Sequence, residues 1–156
     1  MRKTLVLLGI VGLILLWKFV LFPEKLDFTD KMKVMQGLVM AATYKQAIAE
    51  YWQKNKTLPN AEQWISEESK VKVDTGKSIV ESIKVAEVVP GSITIYYSNA
   101  GDQSIDPEIN ATTLSLTPKV QSGKLQWSCR ATVPARYLPA SCRQAVTIGY
   151  VGPAKQ

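Results

Sequence analysis

The feature that most constrains this chain is one apolar run near its start. Residues 4–22, TLVLLGIVGLILLWKFVLF, contain a single charged side chain, Lys18. As a helix rising about 1.5 Å per residue, the run extends about 28 Å, which is enough to cross the hydrocarbon core of a bilayer. A cleavable signal peptide would end at small residues, whereas this run ends in WKFVLFP. We therefore predict a transmembrane anchor helix over residues 1–22 and one further domain over residues 23–156.

The two cysteines indicate on which side of the membrane this domain lies. Arg2 and Lys3 favour a cytoplasmic N-terminus, but lysines also follow the run closely, so flanking charge alone leaves the orientation open. Cys129 and Cys142 lie thirteen positions apart, a spacing that suits a short disulfide loop. In a reducing compartment the pair would be inert or bind a metal, but the chain has no His and no further Cys for a zinc site. We predict a Cys129–Cys142 disulfide, a periplasmic or extracellular domain, and no metal or other cofactor.

The charge of the chain does not by itself indicate a nucleic-acid binder. The net charge is +6, and the part of the chain after residue 22 has 16 basic and 13 acidic residues. Arg130, Arg136 and Arg143 surround the cysteine loop. We interpret these three arginines first as solvated surface and second as candidate contacts with an anionic partner such as nucleic acid.

A helical period follows the anchor. In residues 27–55 apolar side chains recur three or four positions apart, which predicts an amphipathic helix that ends at about residues 55–56, before Pro59. Pro23 marks the join to the anchor, where we expect a kink or a locally loosened turn. Small residues such as Gly37 allow close approach to a sheet. The side chains expected to face the domain are Phe28, Met32, Met35, Leu38, Val39, Ala42, Ala49 and Trp52.

Four β-rich runs follow a polar connection. In that connection Trp64 and Ile65 are expected to tuck a loop or short helix against the domain. The runs are residues 79–89, 92–98, 112–118 and 124–129, and turn signals stand at residues 90–91, 101–102 and 122–123. Residues 145–151 are a candidate short edge strand. The order predicts four antiparallel strands.

Apolar and polar residues alternate most clearly in the last two runs. Leu114 with Leu116, and Leu125 with Trp127, place one apolar face toward the long helix and leave the other toward water. The predicted fold class is α+β: a long N-terminal helix, half membrane-spanning and half amphipathic, packed on a four-stranded antiparallel sheet with a C-terminal disulfide loop.

Separated blocks of the chain resemble the type IV pilins. The first block is Pro23, residues 27–29 (DFT), residues 47–52 (AIAEYW) and Pro59, similar in spacing to the family's proline, Asp-Tyr-Thr, helix-end Glu-Tyr-Tyr and loop proline. The second is residues 123–129 (GKLQWSC) and 137–143 (YLPASCR), similar to the family's last core strand and disulfide region, and residues 114–118 fit its third strand. The resemblance covers most of the chain. It implies a pilin fold and a place in a filament system used for adhesion, twitching, DNA uptake or secretion.

The resemblance is incomplete at the N-terminus. A pilin precursor is cut after a Gly, and its mature chain has Glu at the fifth position. The available starts instead place Val6, Ile14 or Trp17 there. Lys18 would reach the headgroups from a single membrane helix, whereas in a filament core apolar helices would surround it. Both departures favour a chain that is not processed and stays in the membrane.

The function expected from these residues is non-enzymatic. We expect a single-pass accessory protein of the bacterial inner membrane, with a cytoplasmic N-terminus and a periplasmic domain. It would contact pilins or the assembly platform through its N-terminal helix and modulate pilus assembly or retraction. A minor or major structural pilus subunit is the alternative, and a module that binds DNA or another anionic surface is a third hypothesis.

Enzyme motifs do not appear in the chain. It has no nucleophile elbow and no phosphate loop, so we expect no small-molecule substrate. Asp102, Asp106 and Glu108 are interpreted as solvated acids of a turn.

Overall fold

The computed structural model describes residues 23–69, 71–73, 76, 78–99 and 105–143. Its elements are the helices α1 (Pro23–Asn55) and α2 (Ala61–Glu68), the strands β1 (Val80–Val85), β2 (Ile93–Tyr97), β3 (Thr112–Gln121) and β4 (Lys124–Ala131), a 3₁₀ turn (Ala135–Tyr137) and the short helix α3 (Ala140–Arg143). The strands form one antiparallel sheet in the order β1-β2-β3-β4, and α1 packs against it. The predicted α+β architecture is confirmed.

Several predictions concern segments outside this description. They are the anchor over residues 1–22, the kink at its join to α1, the turn at residues 101–102 and the edge strand over residues 145–151. Within the ranges given above, no helix combines the length and the apolar composition that crossing a membrane requires.

The end of α1 lies where the sequence predicts it. Asn55 is the last helical residue, and Lys56 adopts a left-handed backbone conformation with φ of 57°. The Lys56 N–H still donates a 2.8 Å hydrogen bond to the Trp52 carbonyl, so the last turn of the helix is closed before the chain changes direction.

The side of α1 that faces the sheet differs from the prediction. The buried positions are Asp30, Val34, Gly37, Ala41 and Ile48. Small side chains at two of these positions allow the helix to approach the sheet closely, as expected.

The predicted contact face was wrong at three large side chains. Phe28, Met32 and Val39 are 65%, 54% and 70% exposed, and Ala42 is exposed as well. Apolar residues lie on two opposite sides of α1, so their helical period alone did not select the side that packs on the sheet.

The sheet is a meander in which a tight turn joins β3 to β4. Ser122 and Gly123, with φ of 49° and 70°, form the predicted two-residue connection between β3 and β4. β1 is shorter than the predicted strand, because Ala86 takes a left-handed conformation with φ of 59° and the strand ends at Val85. β3 and β4 are longer than predicted and pair from Leu114↔Ala131 to Gln121↔Lys124.

The core lies between α1 and the sheet. Leu114 and Leu116 are buried, as predicted, whereas Leu125 and Trp127 are only half-buried. The Lys45 ammonium of α1 lies 5.2 Å from the Trp127 ring centroid and covers that end of the sheet. The core side chains contributed by α1, β2 and β3 include Val34, Ala41, Ile48, Ile93, Ile95, Tyr97, Leu114 and Leu116.

α2 contacts the domain through one of its two predicted anchors. Asn60 and Gln63 form a capping box at its start. Trp64 is 3% exposed, and its ring centroid lies 6.2 Å from that of Tyr44. Ile65 is 71% exposed, so the prediction that it tucks inward was wrong. Neighbouring residues of a helix point about 100° apart. With Trp64 directed at the domain, Ile65 is directed away from it.

Candidate interaction surfaces

One side of α1 carries four large apolar side chains, of which three are more than half exposed and one, Met35, is half-buried. Phe28, Met32, Met35 and Val39, here called the outer strip, follow one another at spacings of four, three and four residues and so share one side of the helix. At 3.6 residues per turn, Val39 lies about 140° around the axis from the buried Val34. The outer strip therefore faces away from the sheet and is available to another molecule.

A carboxylate on the sheet-facing side of α1 joins the helix to the segment that precedes β3. Asp30 Oδ2 accepts a 3.1 Å hydrogen bond from the backbone N–H of Asp106, and the Lys33 ammonium lies 3.3 Å from Asp30 Oδ1. Asp30 is 7% exposed, so these two contacts stabilise a carboxylate that is largely buried. Asp30 is not among the residues that the sequence pattern singled out. Its role could have been suspected from the helical period, because this acidic residue lies on the same side of α1 as Val34 and Ala41.

Asp106 extends this connection to the C-terminal segment. Its Oδ2 accepts a 2.7 Å hydrogen bond from the Tyr137 hydroxyl, and its Oδ1 accepts one of 2.8 Å from the backbone N–H of Glu108. The Tyr137 hydrogen bond, and after it the Glu108 N–H, lower the pKa of the Asp106 carboxyl. The interpretation of Asp106 as a merely solvated acid was wrong, because it connects α1 to the 3₁₀ turn.

Arg136 belongs to the same group of contacts. Its guanidinium lies 2.9 Å from the Glu108 carboxylate and 3.6 Å from that of Asp106. It also lies 4.6 Å from the Tyr137 ring centroid. The hydrogen bond to Glu108 is the main reason that the pKa of Arg136 is raised. The charge of Arg136 is thus already balanced within the chain.

The three arginines of the predicted anionic contact lie in different settings. Arg143 donates from Nε to the Leu138 carbonyl at 2.9 Å, and Arg136 is paired as described. Arg130 is exposed on β4. Contact of the three with an anionic partner stays a prediction, and within the described ranges neither Arg130 nor Arg143 forms an ion pair.

The predicted disulfide is present. Cys129 on β4 and Cys142 on α3 are bonded, with their Cα atoms 5.1 Å apart, and both residues are buried. The bond fastens α3 to the last strand. Together with the contact between Tyr137 and Asp106, it attaches the C-terminal segment to the domain at two points.

An open cleft of about 450 Å³ lies between α1 and α2. Its lining mixes charged, amide and apolar side chains, among them Glu50, Lys54 and Glu67. In the parts of the chain that the structure describes, no group of His, Cys, Asp or Glu is arranged to hold a metal ion.

The architecture defines a class of protein. It combines a long helix packed on a four-stranded antiparallel meander with a disulfide that closes the C-terminal segment. The family model for pilins, described as bacterial filament proteins, matches residues 31–143. The chain belongs to the type IV pilin family.

Relatives extend this similarity along almost the whole chain. Fimbrial protein EcpC of Eikenella corrodens is 24% identical over 147 residues, covering 93% of this chain and 89% of the relative. A fimbrial protein of Neisseria meningitidis serogroup A is 23% identical over 171 aligned residues, covering 94% of each chain. Type IV major pilin protein PilE1 of Neisseria gonorrhoeae is 21% identical over 166 aligned residues, covering 93% of this chain and 86% of the relative.

Proposed function

We propose that this chain is a non-enzymatic, pilin-binding component of a bacterial type IV pilus system, and that it binds through the outer strip of α1. The observation that carries the proposal is the exposure of Phe28, Met32 and Val39, each more than half accessible on the side of α1 away from the sheet. Water around clustered apolar side chains is unfavourable, and packing them against another apolar helix removes that cost. Pilin helices are partners of that chemistry.

The outer strip follows the proposed anchor closely in sequence. With residues 1–22 in the inner membrane, Phe28 lies six residues beyond the anchor, on the periplasmic side. The Cys129–Cys142 disulfide supports this placement, because such bonds persist in oxidising compartments. Association would then take place beside the membrane, where pilin subunits wait before assembly.

Within this setting we propose an accessory role that modulates pilus assembly or retraction. Lys18 supports it, because near the end of a single membrane helix its ammonium reaches the headgroups and stays hydrated. In the core of a filament the same ammonium would be surrounded by apolar helices, which is costly for an unpaired charge.

A structural pilus subunit is the second candidate. It is supported by the similarity to fimbrial proteins and to a major pilin over almost the full length of both chains. The two roles predict different locations for the chain.

Crosslinking tests the binding surface. In cells with a complete pilus system, a photo-crosslinking residue at position 36, beside the outer strip, should couple the full-length chain to pilin. Met32→Glu with Val39→Glu should reduce that product by about tenfold or more, because two large apolar side chains are lost from the contact. Gln53→Glu, an exposed position on the same helix, is the matched control and should leave the product unchanged. Equal crosslinking in both variants would reject the outer strip.

Fractionation separates the two roles. Pili are sheared from the same cells, and the chain is quantified in the fibre and membrane fractions. The accessory role requires the chain to remain with the membranes, whereas recovery in the fibres at a regular ratio to pilin establishes a structural subunit.

A further inference from the structure

The side of the β3–β4 hairpin that points away from α1 has an unusual composition. Strand alternation and the cross-strand register assign its residues, because partners directly opposite each other share a face. The opposite side of β3, with Leu114, Leu116 and Pro118, is buried. We call the outward set the hairpin face. Its members are Thr113, Ser115, Thr117, Lys119, Gln121, Lys124, Gln126, Ser128, Arg130 and Thr132.

Every side chain of the hairpin face is a hydroxyl, an amide or a cation. Lys119, Lys124 and Arg130 supply three positive charges, and the set contains no carboxylate. All three cations are exposed, and within the described ranges none of them forms an ion pair. The charge of this face is therefore left uncompensated by the domain.

The carboxylates of Glu81 in β1 and of Glu87 just after it lie at the other edge of the sheet. Glu87, just beyond β1, is held by the Lys84 ammonium at 3.3 Å and accepts a hydrogen bond from the Tyr96 hydroxyl. β1 and β4 are separated by the two central strands. An anion at β4 thus does not meet the Glu87 carboxylate.

The hydroxyl groups of the hairpin face have fixed positions. The Ser115 hydroxyl lies 3.3 Å from that of Thr94, and the Ser128 hydroxyl donates to the Thr117 carbonyl at 3.3 Å. The Thr132 hydroxyl accepts a 2.8 Å hydrogen bond from the Thr113 N–H. Protection of an edge strand from aggregation accounts for charges on β4, but β3 is paired on both sides and carries the same chemistry.

We propose that the hairpin face binds an acidic polysaccharide, a linear sugar polymer that carries carboxylate groups. The cations pair with the carboxylates, and hydroxyl and amide side chains both donate to and accept from sugar hydroxyls. From Thr113 to Gln121 the face extends about 27 Å at ~3.4 Å per residue, which accommodates several sugar units of an extended polymer. The hairpin face itself contributes no aromatic ring on which nucleotide bases could stack. The ring of Tyr96, opposite Thr113 on the neighbouring strand β2, already has the Lys84 ammonium 5.0 Å from its centroid. This favours a polysaccharide over a single-stranded nucleic acid.

This activity is separate from association through the outer strip. The hairpin face lies on the side of the sheet opposite α1, so a chain that binds pilins through α1 still presents it. Failure of one proposal leaves the other standing, because the two use different residues.

The test measures binding of the full-length chain, in detergent micelles, to immobilised polygalacturonate, a polymer of uronic acids. Dextran of similar length is the neutral control, and a 20-base-pair DNA duplex is the competing polyanion. The proposal requires saturable binding to polygalacturonate that weakens as salt rises, together with no binding to dextran. Absence of binding to polygalacturonate overturns it.

Matched variants locate the site. Replacing Lys119, Lys124 and Arg130 together by Gln should weaken binding by about tenfold, since each exposed charge contact contributes a few-fold. The control replaces Lys54, Lys56 and Lys72, three exposed lysines elsewhere, by Gln, and it changes the net charge equally. Equal loss in both triple variants means that only net charge attracts the polymer, and this overturns the site.

Two further measurements keep the test decisive if the triple variant misfolds or if the face binds any polyanion. Lys124→Gln alone, at the hairpin turn, should weaken binding by about two- to threefold even if the triple variant folds poorly. If the DNA duplex binds as tightly as polygalacturonate and loses the same factor in the triple variant, the face is a general polyanion or nucleic-acid surface, and the polysaccharide assignment is wrong.

Discussion

Gly37 of α1 lies directly against the ring of Tyr97. A Cβ atom placed on Gly37 would stand 2.6 Å from the Tyr97 hydroxyl oxygen and 2.9 Å from Cε1. The same hydroxyl donates a 2.9 Å hydrogen bond to the Val34 carbonyl one turn earlier. The missing side chain at position 37 therefore permits the distance between α1 and β2 on which this hydrogen bond depends.

Gly37→Ala should lower the free energy of unfolding by about 1–3 kcal/mol, because the added methyl group overpacks the contact with Tyr97. Ala has the higher helix propensity, so a gain in stability is the outcome expected if the close contact did not matter. Urea unfolding of the full-length chain in detergent measures the difference. Gln36→Ala, at the exposed neighbouring position, is the control and should change stability by less than about 0.5 kcal/mol.

Removing the disulfide should destabilise the domain by about 3 kcal/mol, the value for closing a loop of about this length in the chain-entropy model. The change is Cys129→Ala with Cys142→Ala, and the measurement is again unfolding by urea. In wild-type protein with excess reductant, the free energy of unfolding should fall by a similar amount. Before reduction, its mass should be two hydrogens below that of the dithiol form, and two free thiols in periplasmic material would contradict the bond and the topology together.

Asp106→Asn should destabilise the chain at neutral pH and have a smaller effect in acid. The pKa of Asp106 is lower in the folded chain than its ordinary value, so its stabilising effect is complete above about pH 4. This stabilisation disappears as the pH falls through the folded-state pKa, because the carboxyl is then protonated in the folded and in the unfolded chain. The measurement is the difference in unfolding free energy between wild type and variant at several pH values.

The control for this pH dependence is Tyr137→Phe, which removes the hydrogen bond that lowers the pKa of Asp106 most. In that background the pH dependence of the Asp106→Asn effect should shrink. The difference in unfolding free energy between the wild type and Asp106→Asn should not stay constant from neutral pH to about pH 2. A constant difference would contradict the role assigned to the ionised carboxylate.

Trp64→Ala should lower the free energy of unfolding by about 3–5 kcal/mol, as for other buried large side chains. Ile65→Lys should lower it by less than about 0.5 kcal/mol, because Ile65 is exposed. The two positions are neighbours on α2, so each serves as the control for the other. Thermal unfolding monitored by circular dichroism ranks them. A large effect at Ile65 would mean that the exposed side of α2 has a partner.

The elements whose signals are local were predicted well. The end of α1 follows from Pro59, the β3–β4 turn follows from Ser122 and Gly123, and the disulfide follows from the cysteine spacing. Ala86 gave no such signal, because alanine rarely adopts a left-handed conformation and nothing in the run marked it as the end of β1.

Features that depend on tertiary packing were not predicted. Phe28, Met32 and Val39 have the same period as a core face, whereas the small residues Gly37 and Ala41 let the opposite side of α1 approach the sheet. Asp30 was missed for a related reason, since its partner Asp106 lies 76 residues further along the chain. A carboxylate in a helix shows its role only when that partner is known.

The meander arrangement of the sheet also has a kinetic consequence. Each strand pairs with its neighbour in the chain, and the connection between β3 and β4 is only two residues long, so this hairpin can form early. The bond between Val34 and Tyr97 joins residues 63 positions apart and must wait until β2 has been made. Until then, both apolar sides of α1 are without the sheet as a partner. The interval between synthesis of α1 and docking of the sheet is therefore when this chain exposes the most apolar helix surface.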